Sequence, residues 1–550
     1  MRTVERRIGL LFAGFLLCFV AISARALWLQ GVQGAELASE AAYQQTDVVA
    51  VPGLRGSLLD RFGNPLAVSE DAKTIFATPY QVKRPSQTAA KLAAVLDLDE
   101  DEVLASLTED SGFSYVARKV DLPRAARVAR LELPGIGELP DSRRTYPQGE
   151  LGAQAVGAVG DEGQGLSGLE LGEEGALRGV DGERRAVMDA LGEPIRLETV
   201  SEASDGEDIR LTLDPAIEKK TESVLAEVGE AYSPQGATAI VMDPRSSELL
   251  AMANWPPVDP TDLSSIDPDD LINRATGFTY EPGSTFKAFT VAAALEDKLV
   301  TPGSGFTLPP AIEVADRTIE ESHPRGTATM SVAEILAHSS NVGAVTIGLQ
   351  IGSERFSRWI GRFGFGRTTG VRFPAEERGI VPALEDYSGS TMGNLPLGQG
   401  LAVTPMQMVA GYAAIANGGL LRPPRLIERI GEEALPAPRG RRVIGAAVAA
   451  DLRAMLEGVL APGGTASEVS VPGYALAGKT GTSQVAENGT YSETKYVASF
   501  IGFAPADDPR LLVAVIVDQP QGEIYGGAVA APAFGKIAAF ALPYLGVPQE

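Results

Sequence analysis

Cysteine is all but absent from this sequence: Cys18 is the only one in 550 residues, and it lies in the first apolar segment. That excludes a disulfide framework, a cysteine zinc cluster and a thiol nucleophile anywhere else in the chain. Histidine is nearly as scarce. With only His323 and His338 available, a histidine-rich metal site is excluded and a Ser-His-Asp triad is poorly supported. His338, directly before Ser339, reads as a surface or packing residue. Basic residues are in deficit as well: 47 Lys and Arg stand against 71 Asp and Glu, a formal net charge of −24. Nucleic acid and anionic lipid are therefore poor candidates for the main partner, and the acidity reads as a solvated surface. No residue pattern calls for a cofactor or a bound metal. What is plentiful is apolar: 44% hydrophobic residues support ordinary buried cores in a chain long enough for several domains.

The first apolar run is the most continuous. Ile8 to Ala24 carries no charge, follows Arg2, Arg6 and Arg7, and leads into Arg25 and then Ala26-Leu27-Trp28-Leu29. This predicts one transmembrane helix over residues 8–29, with Arg25 snorkelling and Trp28 at the interface. The competing reading is a cleaved signal peptide, because Ala24-Arg25-Ala26 fits a small-x-small site. The length of the run and the return of apolar residues after Ala26 favour the anchor. Arginines ahead of the helix place residues 1–7 in the cytoplasm and all that follows outside.

Beyond the anchor, residues 37–45 read as a helical stalk and Val48 to Val51 as a strand. Gly63-Asn64-Pro65 marks a turn between two strands, and short helical patterns cover 87–96 and 102–107. The glycines between 146 and 182 lack the strand-to-helix setting of a dinucleotide fingerprint and read as turns. A boundary falls near Asp205-Gly206-Glu207-Asp208. After it come a helix from about 215 to 228, strands over 237–243 and 248–253 around a hairpin turn, and helical spacing from Ile444 to Val459. A strand-like stretch over 474–485 follows, then apolar runs at 496–504 and 511–518 joined by Pro505-Ala506-Asp507-Asp508-Pro509, and a last helix over about 528–542.

Three short motifs carry the chemistry: Ser284-Thr285-Phe286-Lys287, Ser339-Ser340-Asn341 and Lys479-Thr480-Gly481-Thr482. A serine hydroxyl is a weak nucleophile until a base takes its proton, and a lysine of lowered pKa can do so. Glu281-Pro282-Gly283 reads as a turn before a helix that opens on Ser284, and residues three apart share a helix face. The pair alone is weak evidence, since Ser492 and Lys495 repeat the spacing with no expected role. The set is specific, because each of the other two motifs occurs once in the chain.

On these residues the chain resembles the class B penicillin-binding proteins, single-pass peptidoglycan D,D-transpeptidases of bacterial cell-wall synthesis. The resemblance extends to Arg55-Gly56, Asp60-Arg61, Leu66-Ala67, Arg144-Thr145-Tyr146-Pro147, Gly168-Leu169-Glu170, Tyr280-Glu281-Pro282-Gly283-Ser284 and Gly398-Gln399-Gly400-Leu401-Ala402-Val403-Thr404-Pro405. It implies an α+β fold in which an antiparallel sheet is flanked by helices (residues 205–550), preceded by a membrane-proximal, dimerisation-like module (30–204). It implies that Ser284 attacks the penultimate D-alanine carbonyl of a D-Ala-D-Ala stem peptide with Lys287 as base. Ser339 would relay a proton to the leaving amine, and Asn341 would orient the substrate amide. Lys479, Thr480 and Thr482 would receive the terminal carboxylate beside Gly481, Lys479 would help keep Lys287 neutral, and the backbone N–H groups of Ser284 and Thr482 would form the oxyanion hole. The expected partners are stem peptides, β-lactams as covalent inhibitors, a membrane-embedded glycan polymerase, and other division or elongation proteins, with a septal role favoured. Two departures from the family pattern concern turns: Ser247 stands where glycine is common, and the segment around Asp259-Pro260-Thr261 lacks an asparagine often found there.

Two rival functions share the motifs. A serine β-lactamase must also activate water to clear its acyl-enzyme, and the long membrane-proximal module argues for a wall enzyme instead. A silent scaffold or β-lactam sensor is disfavoured by the intact lysine, serine and asparagine positions.

Overall fold

In the computed structural model, residues 2–33, 46–188, 194–487 and 489–549 are described. The expected stalk at 37–45 lies outside them. Contacts divide the chain into two compact units, one of residues 1–54, 71–142 and 179–205 and one of 55–70, 143–178 and 206–550.

The first unit begins with the helix Arg2–Gly31, whose Val4–Gly31 stretch of 28 residues is long and apolar enough to cross a membrane. At 1.5 Å per residue it spans about 42 Å. Leu10, Phe15, Leu17 and Ile22 are exposed, with no protein over them. The unit also holds an antiparallel ribbon in which Gly182–Met188 lies between Thr46–Val51 and Pro194–Ser201. A small core of Ile75, Leu92, Val103, Leu107 and Val128 is built by the helices Pro85–Leu96, Glu100–Leu107 and Leu122–Ala129 beside strand Ser114–Asp121. Asp99 and Asp121 cap the second and third helices by accepting from free N–H groups of the first turn.

The second unit is α+β, an antiparallel sheet flanked by helices. Its five strands are β1 (Gly236–Asp243), β2 (Glu248–Trp255), β3 (Ala477–Glu487), β4 (Thr490–Ala504) and β5 (Leu511–Asp518), in the order β2-β1-β5-β4-β3. β1 and β5 are buried almost end to end, because helices cover both faces of the sheet. On one side lie α1 (Pro215–Tyr232) and the C-terminal α6 (Gly526–Tyr544); on the other, α5 (Pro405–Ala416) and the helices before it. The apolar α6 is long enough to span a membrane by length and composition, yet Val529, Phe534, Ile537 and Leu542 are buried in the sheet's core, so it serves as a core helix.

Ser247, in the β1–β2 turn, has φ +64°, a left-handed conformation that costs a side-chain-bearing residue and suits glycine. Near Pro260, Asp259 accepts from Thr261 N at 2.8 Å and Thr261 Oγ1 at 2.6 Å, closing that turn without an asparagine.

Candidate active site

The helix expected to open on Ser284 opens three residues later. Residues Gly283–Phe286 form a 3-10 turn, and α2 runs from Lys287 to Glu296. The tighter turn follows from Gly283, at φ +54°, whose N–H donates to Gly398 O at 3.0 Å. Gly398 is itself at φ +81°, and a Cβ there would collide with Gly283 O. Thr285 Oγ1 donates to Pro282 O at 2.7 Å, and Tyr412 Oη from α5 donates to Thr285 O at 2.6 Å. Phe286 and Phe289 anchor the start of α2 against Phe365. Ser284 thus sits, partly exposed, on a turn held from three sides.

One turn on, Lys287 is buried at 1% exposure. Its Nζ donates to Ser339 O at 2.6 Å, to Asn341 Oδ1 at 2.7 Å and to Ser339 Oγ at 3.3 Å. These partners flank the junction between α3 (Val332–Ala337) and α4 (Asn341–Ile351). Ser339 is at φ +58°, which turns both its carbonyl and its hydroxyl to the lysine. Among the described residues no hydrogen bond joins Ser284 Oγ to Lys287. Catalytic hydrogen bonds in empty sites are commonly open and close when substrate arrives.

The third motif lies on β3, the edge strand, where Lys479, Thr480, Gly481 and Thr482 pair with Ile501, Phe500, Ser499 and Ala498 of β4. Lys479 is fully buried and donates to Thr480 O and Oγ1 at 3.3 Å. Thr480 Oγ1 shares a 2.7 Å hydrogen bond with Thr465, and Thr482 Oγ1 accepts from Gly526 N at 3.1 Å. Gly481 is required by space, since a Cβ would come within 2.9 Å of Thr285 Cγ2. Ser483 Oγ, next along the strand, donates to Glu281 O at 2.6 Å and ties β3 to the serine turn.

Electrostatics separate the two amines. Burial holds Lys287 down at about 7, against the pull of Glu321, which raises it. Burial, and then the charge of Lys287, push Lys479 well below the ordinary lysine range. Lys287 is therefore kept near neutrality by desolvation more than by its neighbouring cation, and the repulsion falls on Lys479.

Several contributors escaped the sequence reading. Glu321 accepts from Ser340 Oγ at 2.6 Å and Asn341 N at 2.7 Å, although it belongs to no motif and stands 20 residues from Asn341. Glu281, read from the sequence only as part of the turn before the serine, accepts from Gly400 N at 3.0 Å and from Tyr491 Oη at 3.1 Å. Thr465, bonded to Thr480, was unmarked. The decoy pair behaves as expected of an accident: Ser492 Oγ accepts from Thr494 N and Lys495 N, and Lys495 pairs with Glu487 at 2.6 Å. His338 is an exposed residue whose Nδ1 lies 3.1 Å from Gly463 O. Among the described residues no group of three His, Cys, Asp or Glu could hold a metal ion.

The chain is also similar to known proteins along most of its length. Residues 237–539 match the penicillin binding protein transpeptidase domain and residues 50–211 the penicillin-binding protein dimerisation domain. Stage V sporulation protein D of Bacillus subtilis is 36% identical over 99% of this chain and 86% of its own length. Peptidoglycan D,D-transpeptidase FtsI of Escherichia coli is 31% identical over 97% and 91%. Among solved structures, penicillin binding protein 3 of Mycobacterium tuberculosis complexed with aztreonam superposes with a TM-score of 0.72 at 29% identity, covering 91% of this chain and 98% of that one.

Proposed function

The chain belongs to the class B penicillin-binding proteins and is a serine peptidoglycan D,D-transpeptidase, and from that premise we propose how its residues divide the work. The observation that carries the reading is a buried Lys287, its pKa lowered by burial to about 7, gripped by Ser339 and Asn341 one turn after Ser284.

Lys287 Nζ takes the proton of Ser284 Oγ as that oxygen bonds to the penultimate D-alanine carbonyl carbon. The carbonyl becomes an oxyanion received by the backbone N–H groups of Ser284 and Thr482, one such donor being worth about 2.7–4 kcal/mol. Collapse breaks the peptide bond. The leaving amine takes a proton through Ser339, D-alanine departs, and the stem peptide stays esterified to Ser284. An amine from a neighbouring stem peptide then attacks the ester and gives up its proton along the same route; the bond to Ser284 Oγ breaks, the serine regains that proton from Lys287, and a cross-link is left. Asn341 orients the substrate amide. Thr480 and Thr482 offer hydroxyls to the terminal carboxylate, and arrival of that anion favours the charged form of Lys479. A β-lactam enters as a covalent mimic of D-Ala-D-Ala and acylates the same serine.

In chain order we read residues 1–7 as a cytoplasmic tail, 8–29 as a single membrane anchor, 30–204 as the non-catalytic module and 205–550 as the transpeptidase domain, outside the membrane. Residues 55–70 and 143–178 of the module pack with 206–550 and give the catalytic unit a footing. Its partners in this reading are a glycan polymerase within the membrane and division proteins at the septum, a role supported by whole-length similarity to the relatives above. The full-length chain should cross-link stem peptides, lose that activity in Ser284→Ala, and localise to the septum of dividing cells. Rapid turnover of penicillin would overturn the reading in favour of a β-lactamase, and side-wall localisation would favour elongation.

A further inference from the structure

Resting on the reading of Ser284 as nucleophile and Lys287 as its base, we infer that Glu321 is a positioning residue for acylation, holding the start of α4 so that Ser339 and Asn341 can grip the lysine. Its carboxylate reaches three donors. Oε1 accepts from Ser340 Oγ at 2.6 Å and from Arg325 Nη2 at 2.5 Å, and Oε2 accepts from Asn341 N at 2.7 Å. Ser340 Oγ in turn accepts from Gly343 N at 3.0 Å and caps α4. The anion thereby occupies the end of α4 where N–H groups are free and the helix dipole favours negative charge.

The adjacent residue fixes the asparagine side chain. Asn341 Nδ2 donates to Glu320 O at 2.8 Å, which leaves Oδ1 to accept from Lys287 at 2.7 Å. Residues 320 and 321 therefore hold Asn341 by its backbone and by its amide. Ser339, at φ +58°, is two residues away in a conformation that persists only where its surroundings fix it. Removing Glu321 frees the α4 end of that arrangement and lets the lysine's acceptors drift.

Among the described residues, Glu321 also supplies the negative charge that pulls on the lysine. Lys479 faces Lys287 from β3, while the 321–325 loop brings Glu321 and its partner Arg325. The turn between α3 and α4 offers only hydroxyl, carbonyl and amide groups, and His323 lies against Tyr525 with ring centroids 5.8 Å apart. Replacing Glu321 by glutamine deletes the anion and leaves Arg325 behind. Both changes disfavour a protonated Lys287, and the neutral amine is the active base.

The test is the rate of acylation by a fluorescent penicillin against pH, in full-length protein in detergent. Wild type should gain activity as pH rises through about 7. E321Q should move that acid limb to lower pH and lower the plateau by about tenfold to a hundredfold, the scale of a misplaced catalytic group. E321D keeps the charge but not the reach to Ser340 and Asn341 together, so its limb stays and its plateau falls. An E321Q limb and plateau equal to wild type would overturn the proposal. So would a full plateau in E321D, which decides the matter if E321Q melts early. Labelling that survives Ser284→Ala would instead sink the reading beneath it.

Discussion

Two clusters of buried charge sit in the same compact unit and are built on opposite terms. In one, Glu170 is fully buried and accepts from Arg55 Nε at 2.5 Å and Arg144 Nε at 2.7 Å, while Arg55 also reaches Glu174 at 2.6 Å. Arg144 adds bonds to Gly56 O at 2.8 Å and Ser69 Oγ at 3.0 Å. In the other, Lys287 and Lys479 are buried among hydroxyls, carbonyls and an amide, with no carboxylate among the described residues bonded to either amine. Paired charge locks distant chain segments together, here residues 55, 144 and 170. Unpaired buried charge gives up its proton, which is what a base near neutral pH requires. The first cluster serves the architecture and the second serves the reaction.

Breaking each cluster should therefore have opposite consequences. Lys287→Met should lower the acylation rate by roughly 10²–10⁴, the usual worth of a general base, without lowering Tm, because an apolar side chain suits the buried site better than an amine. Between about pH 7 and 10 the folded lysine binds fewer protons than the unfolded one, so wild type loses stability as pH falls through that window. The variant should lose less, as thermal melts across pH will show. Glu170→Ala leaves the buried guanidinium of Arg144 without its carboxylate and Arg55 with Glu174 alone, and should cost about 3–5 kcal/mol of stability, read as a fall in Tm, with the pH limb of acylation unmoved in protein that remains folded.

A third cluster sharpens the contrast with the smallest expected effect. Glu218 and Glu222 lie one turn apart on α1, bonded to Met252 N at 2.8 Å and Gly152 N at 2.7 Å respectively. Burial raises both carboxyls, Glu222 to about 7, with Glu150 adding to the rise and Gly152 N–H and Lys219 opposing it. The folded chain then binds more protons than the unfolded chain between about pH 4.5 and 7, so stability falls as pH rises across that window. Glu222→Gln should flatten this fall; an unchanged slope in Tm between pH 5 and 8 would show that the pair does not store a proton.

How much of this was legible depends on whether the cause was local. The hairpin of β1 and β2 and the runs of β4 and β5 could be read because turn residues bracket apolar stretches, and the three motifs because the chemistry dictates their residue types. The site's finer geometry could not. The 3-10 turn at Ser284 is set by Gly283 meeting Gly398, 115 residues along the chain. Glu321 has no sequence signature, since its worth lies in α4 beginning beside it 20 residues later. Likewise Arg55, Arg144 and Glu170 stood out as family-like residues, but only the fold shows them bonded together.

The most direct test of the account is to map the covalent adduct. Full-length protein treated with benzylpenicillin should gain the mass of one penicilloyl group on the peptide containing Ser284, slowly released, and Ser284→Ala should gain none. An adduct elsewhere, or one of equal yield in Ser284→Ala, would contradict the assignment of Ser284 as the nucleophile on which every later step depends.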